Sequence, residues 1–450
     1  MAVWFASLRG MPLRAAVAAA ATVCAIEVAA DSLPAPLTDT DFNAFDPAQA
    51  DLGQLLFYDK ILSGNRNISC GTCHHHTFGG SDGVSLAIGE GGQGLGPERR
   101  VSAGPDLPVE RVPRNAPALW NLGHREVSVL FHDGRLTVNP DLPSGFETPA
   151  GAKTPLGLSS ILAAQALFPV TSATEMAGQG AENPIATVTS QDIAGVWPIL
   201  EERVRAIPAY ADLFAAAFDD VAAPDDITIV HIVNAIAAFI GTEWKNHDSP
   251  FDRHLAGNTD ALGEDARRGM DLFFGEAACA TCHSGPLFTD QSFHALALPA
   301  FGPGKVHEPG KAPVDPGRAF KTAQPDDAYR FRTPMLRNVA LTAPYGHNGA
   351  FETLEGIVRH HANPLASLAR WEPQAARLPQ VEGLQEVDFA VLEDRPELLR
   401  ERSTFDIAPV ALTRRDVDDL VAFLNALTGE TAEALPRGVP ERVPSGLPVD

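Results

Sequence analysis

Two short segments carry the strongest chemical signal in the chain, Cys70-Gly-Thr-Cys73-His74 and Cys279-Ala-Thr-Cys282-His283. In the pattern C-x-x-C-H two thiols stand where they can add to the vinyl groups along one edge of a haem. The histidine that follows swings under the ring to ligate iron. Cysteines at this spacing also form local disulfides or join histidine in zinc sites, and a single copy would leave those readings open. Here the motif occurs twice, each time with its histidine, and the remaining cysteine, Cys24, lies within the first thirty residues. Two covalently bound c-type haems are therefore expected.

The same element precedes both motifs. Gly53-Gln-Leu-Leu-Phe57 stands ahead of the first and Gly269-Met-Asp-Leu-Phe273 ahead of the second, a repeated G-x-x-L-F with helical spacing. One module used twice is predicted, its helix packing an apolar face on the haem edge. Val417, Leu420, Val421, Phe423, Leu424 and Leu427 share one face of a predicted helix over 416–427, which would close the second module. Residues 227–244 read as another apolar helix, broken by Asn246-His-Asp-Ser-Pro250, and the boundary between an N-terminal domain (31–245) and a C-terminal one (246–435) is set there. The Gly/Pro-rich stretches 79–96 and 139–157 are not expected to hold a regular element, and long loops of this kind often act as lids or binding segments. The tail, 436–450, has four prolines and no apolar periodicity. It is expected to lie extended on the surface or to be disordered.

With 45% hydrophobic residues in 450 the chain can bury more than one core, while 38 glycines and 37 prolines are more punctuation than a regular bundle tolerates. A formal net charge of −23 repels phosphate backbones and argues against any nucleic-acid partner. Arg9 and Arg14, an apolar run over 15–26, and Val28-Ala-Ala30 before Asp31 have the layout of a secretory signal. The run is shorter than the ~20 apolar residues that span a bilayer, so residues 1–30 predict export to the periplasm with no membrane span. Val23 before Cys24 fits a lipoprotein cleavage site poorly.

Beyond the haem motifs stand Arg114-Asn-Ala-Pro117, Phe131-His-Asp-Gly-Arg135, Gln165 with Glu175-Met176, Ser249-Pro-Phe-Asp252, and Leu336-Arg-Asn-Val339 leading to Pro344-Tyr-Gly-His-Asn-Gly349. On these residues the chain resembles the bacterial di-haem cytochrome c peroxidases and their relatives, the methylamine-utilisation di-haem enzymes, from about Leu52 to Gly429. The resemblance implies a mainly α fold of two cytochrome c-like haem domains with long irregular loops. Hydrogen peroxide would be reduced at the N-terminal haem, with electrons entering through the C-terminal one. Carried over, His74 and His283 are the proximal ligands, and Gln165 and Glu175 fall at the peroxide site, where a carboxylate can take a proton from bound peroxide and return it to the leaving oxygen. A calcium ion between the domains is implied at Asn115, Thr342 and Pro344, as is a homodimer. Hard oxygen donors suit calcium, although Asn115 could equally cap a turn.

Three positions depart from the family pattern. Glu90, in Leu86-Ala-Ile-Gly-Glu-Gly91, stands where peroxidases carry a removable distal histidine. A glutamate ligates haem iron weakly, so an N-terminal haem that is five-coordinate or water-bound is expected; a solvated loop carboxylate is the plainer alternative. His132 replaces a tryptophan between the haems and is either a packing residue or an electron-transfer group. The sixth ligand of the C-terminal haem, methionine or tyrosine in the family, maps to His361, with the adjacent His360 as the one-residue alternative. A second imidazole would lower that haem's potential.

Three functions are compatible with these residues. The first is a periplasmic di-haem peroxidase fed by a small c-type cytochrome or cupredoxin. The second is an oxidase of the methylamine-utilisation kind acting on a protein or small molecule, and the third a non-catalytic electron-transfer cytochrome with two six-coordinate haems.

Overall fold

The computed structural model describes residues 33–101 and 107–450, and the export signal read from residues 1–30 lies outside them. The helices that bear on the site are α1 (Pro47–Tyr58), α2 (Ile161–Ala166), α3 (Ile229–Glu243), α4 (Glu264–Phe274), α5 (Leu354–Ala362) and α6 (Arg414–Asn425). Their ends follow from local chemistry. Asp46 accepts from the amides of Ala48 and Gln49 ahead of Pro47 in α1, and Thr413 and Asp416 cap one another's amides at the start of α6. The start of α6 falls two residues before the predicted one, because the cap and not the apolar stripe sets it. Among the described residues no helix is long and apolar enough to cross a membrane.

The repeated G-x-x-L-F is a helix-crossing motif. A Cβ placed on Gly53 would lie 1.9 Å from the carbonyl oxygen of Ala235 on α3, and one on Gly269 would lie 1.9 Å from that of Asp419 on α6. Both glycines are therefore points where two backbones touch. One turn on, the rings of Phe57 and Phe239 meet at 5.2 Å and 62°, and those of Phe273 and Phe423 at 5.2 Å and 59°. Each pair anchors a separate buried cluster. The first gathers α1, α2 and α3 with Tyr58, Trp197 and Trp244; the second gathers α4 and α6 with Phe251, Phe288 and Phe301.

Strands are few and short. Val129–Leu130 (β1), Leu136–Val138 (β2) and Phe146–Glu147 (β3) form an antiparallel sheet in that order, and Phe293–Ala295 (β4) pairs antiparallel with Arg330–Arg332 (β5). The stretch 139–157 is thus not devoid of regular structure, as its composition suggests: Phe146 is buried and carries β3 onto the sheet, and the hydroxyls of Thr148 and Thr154 bond at 2.6 Å. In 79–96, Gly92–Gln93 likewise pairs with Arg100–Val101.

Of the two expectations for the tail, the extended surface course is the one observed, and residues 436–450 are held against the first cluster. Gln54 on α1 donates to the carbonyls of Arg437 and Gly438 at 3.0 and 2.9 Å. Ser445 donates to Asp59 at 2.6 Å, Val443 is buried, and Asp450 pairs with Lys60 and Thr72. Prolines lower the cost of holding such an extended strap. Buried ion pairs also tie distant segments, Arg111 to Asp388 at 2.9 Å and Arg337 to Asp252 at 2.7 Å. Leaving either partner alone would cost about 3–5 kcal/mol.

Candidate functional site

A cavity of about 1620 Å³, including its opening to solvent, lies between α1, α2, α3 and the loop that carries Cys70, Cys73 and His74. Its walls are mostly apolar, and its size suits a flat macrocycle. Cys70–Cys73 forms a single helical turn, fixed where Thr72 accepts from the Ser69 amide at 3.0 Å. The four described cysteines are free thiols, so neither pair is a disulfide. Burial pushes the Cys70 and Cys73 thiols up to about 12.

The orientation of His74 is set by its other nitrogen. Nδ1 sits 3.0 Å from the carbonyl oxygen of Gly80, and since a carbonyl only accepts, Nδ1 is the donor and Nε2 keeps its lone pair for a metal. His283 repeats the arrangement, donating from Nδ1 to Phe288 at 3.1 Å, and so does His361, donating to Ile357 at 2.9 Å. The rings of His283 and His361 stand 6.4 Å apart between centroids. Two metal–nitrogen bonds of about 2 Å each plus the ring radii fill that separation, so the pair could hold one iron between them. His360 is turned the other way: its Nε2 donates to Leu296 at 2.8 Å and the ring is fully buried beside Phe351. Among the described residues the one cluster of metal-ligand types is Cys282, Asp290 and His294, and His294 there is already bonded to Asp290 at 2.8 Å.

Gln165 and Glu175 line the same cavity as His74. Gln165 ends α2. Glu175 sits in a wide turn in which the amides of Met176 and Ala177 both bond to the carbonyl of Ser172, at 3.0 and 2.9 Å, an irregularity that recurs at functional sites. Burial pushes its carboxyl above the usual range, opposed by Arg135 and Lys305. His132 also lines the cavity and donates from Nε2 to the carbonyl of Asn115 at 3.1 Å. Burial, with Arg114 beside it, pushes the imidazole down to about 4, so it is neutral at pH 7.

Glu90 is placed elsewhere. It is 2% exposed, hence not a solvated loop residue, and it is not on the cavity wall. Its carboxylate accepts from Asn65 and Asn67, both at 2.7 Å, and its amide bonds to Thr174 at 3.3 Å. It braces the turn that presents Glu175. Asn115 donates to Val84 and Ser85 at 2.8 and 3.3 Å, and its side-chain nitrogen and Pro344 both flank Gly349, while Thr342 bonds back to Val339 at 3.1 Å. Sequence reasoning missed Lys305 and Arg332, which reach the same cavity from the other half of the chain. Lys305 lies in a Pro/Gly loop and Arg332 in a three-residue strand, and neither position carries a local pattern.

A helix-rich fold with two C-x-x-C-H segments, one facing an open pocket with an amide and a carboxyl and the other an opposed imidazole, defines a di-haem c-type oxidoreductase. The family described as di-haem cytochrome c peroxidase matches residues 47–260. The chain is 30% identical over 405 residues to methylamine utilization protein MauG of Methylorubrum extorquens, covering 89% of this chain and 83% of that one. It is 28% identical over 326 residues to cytochrome c551 peroxidase of Pseudomonas aeruginosa, covering 72% and 75%. A solved MauG-like protein associated with microbial copper homeostasis superposes with a TM-score of 0.58 at 29% identity, over 91% of this chain and 97% of that one. The chain belongs to the di-haem cytochrome c peroxidase family and is an oxidoreductase with two c-type haems.

Proposed function

We propose that the protein reduces hydrogen peroxide to water in the N-terminal cavity, with electrons delivered by a small c-type cytochrome or cupredoxin in the periplasm. Haem supplies the iron and the redox equivalents when bound; the chain supplies binding, orientation and protons. The observation that carries the reading is a buried carboxyl with a raised pKa and an amide lining the same cavity as a histidine whose Nδ1 is bonded to a carbonyl, which leaves Nε2 for iron. Glu175 as carboxylate takes the proton from the near oxygen of peroxide and returns it to the departing one, so that water leaves instead of hydroxide. Gln165 orients the peroxide by hydrogen bonding, and Glu90 holds the turn behind Glu175. His132, neutral and buried, can accept a proton at Nδ1 but does not store charge.

In the C-terminal half, residues 246–435, His283 and His361 are the ligands of the second haem, and that half receives electrons. Asn115, Thr342 and Pro344 are the calcium ligands at the junction with residues 31–245, residues 1–30 direct export, and the working form is a homodimer. Stopped-flow mixing of the holoprotein with hydrogen peroxide, with and without a reduced small c-type cytochrome, tests the reading. Rapid donor oxidation with return to the resting spectrum is the expected result. A long-lived oxidised spectrum indifferent to the donor supports the second reading, a protein- or small-molecule oxidase, which a glutamate at position 90 in place of the peroxidases' removable histidine favours.

A further inference from the structure

The charges around the N-terminal cavity do not balance within the protein. Four cations line it: Arg114, Arg135, Lys305 and Arg332. Arg114 is paired with Asp133 at 2.6 Å and with Asp315 at 2.8 Å, and Arg135 shares Asp133 at 2.8 Å. Lys305 and Glu175 lie near enough for each to favour the other's charged form. Arg332 differs. It is 9% exposed, its Nε donates to the carbonyl of Phe131 at 3.3 Å and its Nη1 to that of Thr333 at 3.1 Å, and no carboxylate of the described residues pairs with it. Its second terminal nitrogen has no partner among these bonds. A largely buried guanidinium bonded only to carbonyls, with its remaining nitrogen at the cavity, is costly, and the cost is met when an anion enters from outside the chain.

The position of Arg332 says where that anion would sit. The residue ends β5, and its amide bonds to the carbonyl of His132 at 2.8 Å. It thus crosses from the C-terminal half into the cavity that carries Cys70, Cys73 and His74. We propose that Arg332 docks a carboxylate inside this cavity, and that the carboxylate is a propionate of the haem attached at Cys70 and Cys73. The proposal rests on the reading of that cavity as a haem site. A cation at this point favours the reduced form of the haem and keeps the propionate ionised, so a residue of one half sets the potential of the haem in the other. A free carboxylate substrate offers the same chemistry, and the test separates the two sources.

The midpoint potential of the N-terminal haem is followed by optical redox titration of the holoprotein between about pH 5 and pH 9, where an unpaired carboxyl begins to titrate. In R332Q the preference for the ferrous state should fall about tenfold, or 59 mV for one electron, and the midpoint should become pH dependent at the acid end. R332K should keep the wild-type midpoint and profile. R332Q protein that carries its haem and shows the wild-type potential and profile overturns the proposal. Titration with acetate decides independently, even if R332Q does not accumulate. The propionate assignment expects no saturable change in the wild-type ferric spectrum, whereas a saturable change means that Arg332 awaits an incoming carboxylate. An intact mass with one haem in place of two would instead overturn the reading of the cavity.

Discussion

The two halves of the molecule are built on one plan and differ on one side of it. Each has a helix whose glycine touches the backbone of a second helix, a phenylalanine pair at 5.2 Å one turn later, and a C-x-x-C-H segment whose histidine is aimed by a carbonyl bonded to Nδ1. The side facing that histidine is where they part. In the C-terminal half α5 sets the ring of His361 6.4 Å from that of His283, filling the space with an imidazole. In the N-terminal half the corresponding space is a cavity walled by Gln165 and Glu175. The repeated scaffold aims one histidine in each half, and the halves differ in what accompanies it, an imidazole in one and an amide with a buried carboxyl in the other.

The largest effect should come from removing the group that only one half has. E175Q is expected to lower peroxide turnover by about 10²–10⁴-fold while both haems keep their resting spectra. Unaltered turnover in stopped-flow would remove Glu175 from the mechanism. The complementary change is H361M, which should raise the potential of the C-terminal haem within the ~0.8 V span that axial ligands command and leave the N-terminal one where it was. H360M should not, because the His360 Nε2 is committed to Leu296. A potential that follows residue 360 and not 361 would reverse the assignment of the opposed ligand.

If the shared half of the plan is a helix crossing, its two glycines should answer alike. G53A and G269A each place a methyl against a backbone carbonyl, and overpacking of this kind costs about 1–3 kcal/mol. Thermal unfolding should show comparable losses, with the spectral change confined to the haem of the altered half. A loss in one variant alone would mean that the crossings are not equivalent.

This shared part was legible in the sequence because it is local. G-x-x-L-F and C-x-x-C-H each fall within five consecutive residues, and the apolar stripes of α3 and α6 are set by helical spacing. The far side was legible only where a family motif carried it, as for Gln165, Glu175 and His361. Glu90 shows the limit: its glycine loop suggested a solvated carboxylate as the plainer alternative, yet it is buried and accepts from Asn65 and Asn67. The tail shows another. Proline without apolar periodicity left an extended surface course and disorder equally open, and what decides for the first is Asp59, Lys60 and Gln54, hundreds of residues earlier, which supply its partners. Lys305 and Arg332 left no trace because their meaning lies in what they face, and that is settled by how the two halves dock.

The smallest expected effect tests whether that docking reaches the chemistry. Burial raises the Glu175 carboxyl above its ordinary pKa, and Lys305, from the opposite half, works against it. A base must be ionised to act, so peroxide turnover should fall as pH drops through the raised value, giving an acid limb above the usual carboxylate range. Removing the cation in K305Q takes away a factor that lowers the pKa, and the limb must therefore move to higher pH. At a fixed pH on that limb kcat/KM should drop a few-fold, a modest change because the charge acts through space, while the alkaline plateau stays as it was. A limb that does not move would mean that the two halves share a cavity wall without sharing its electrostatics.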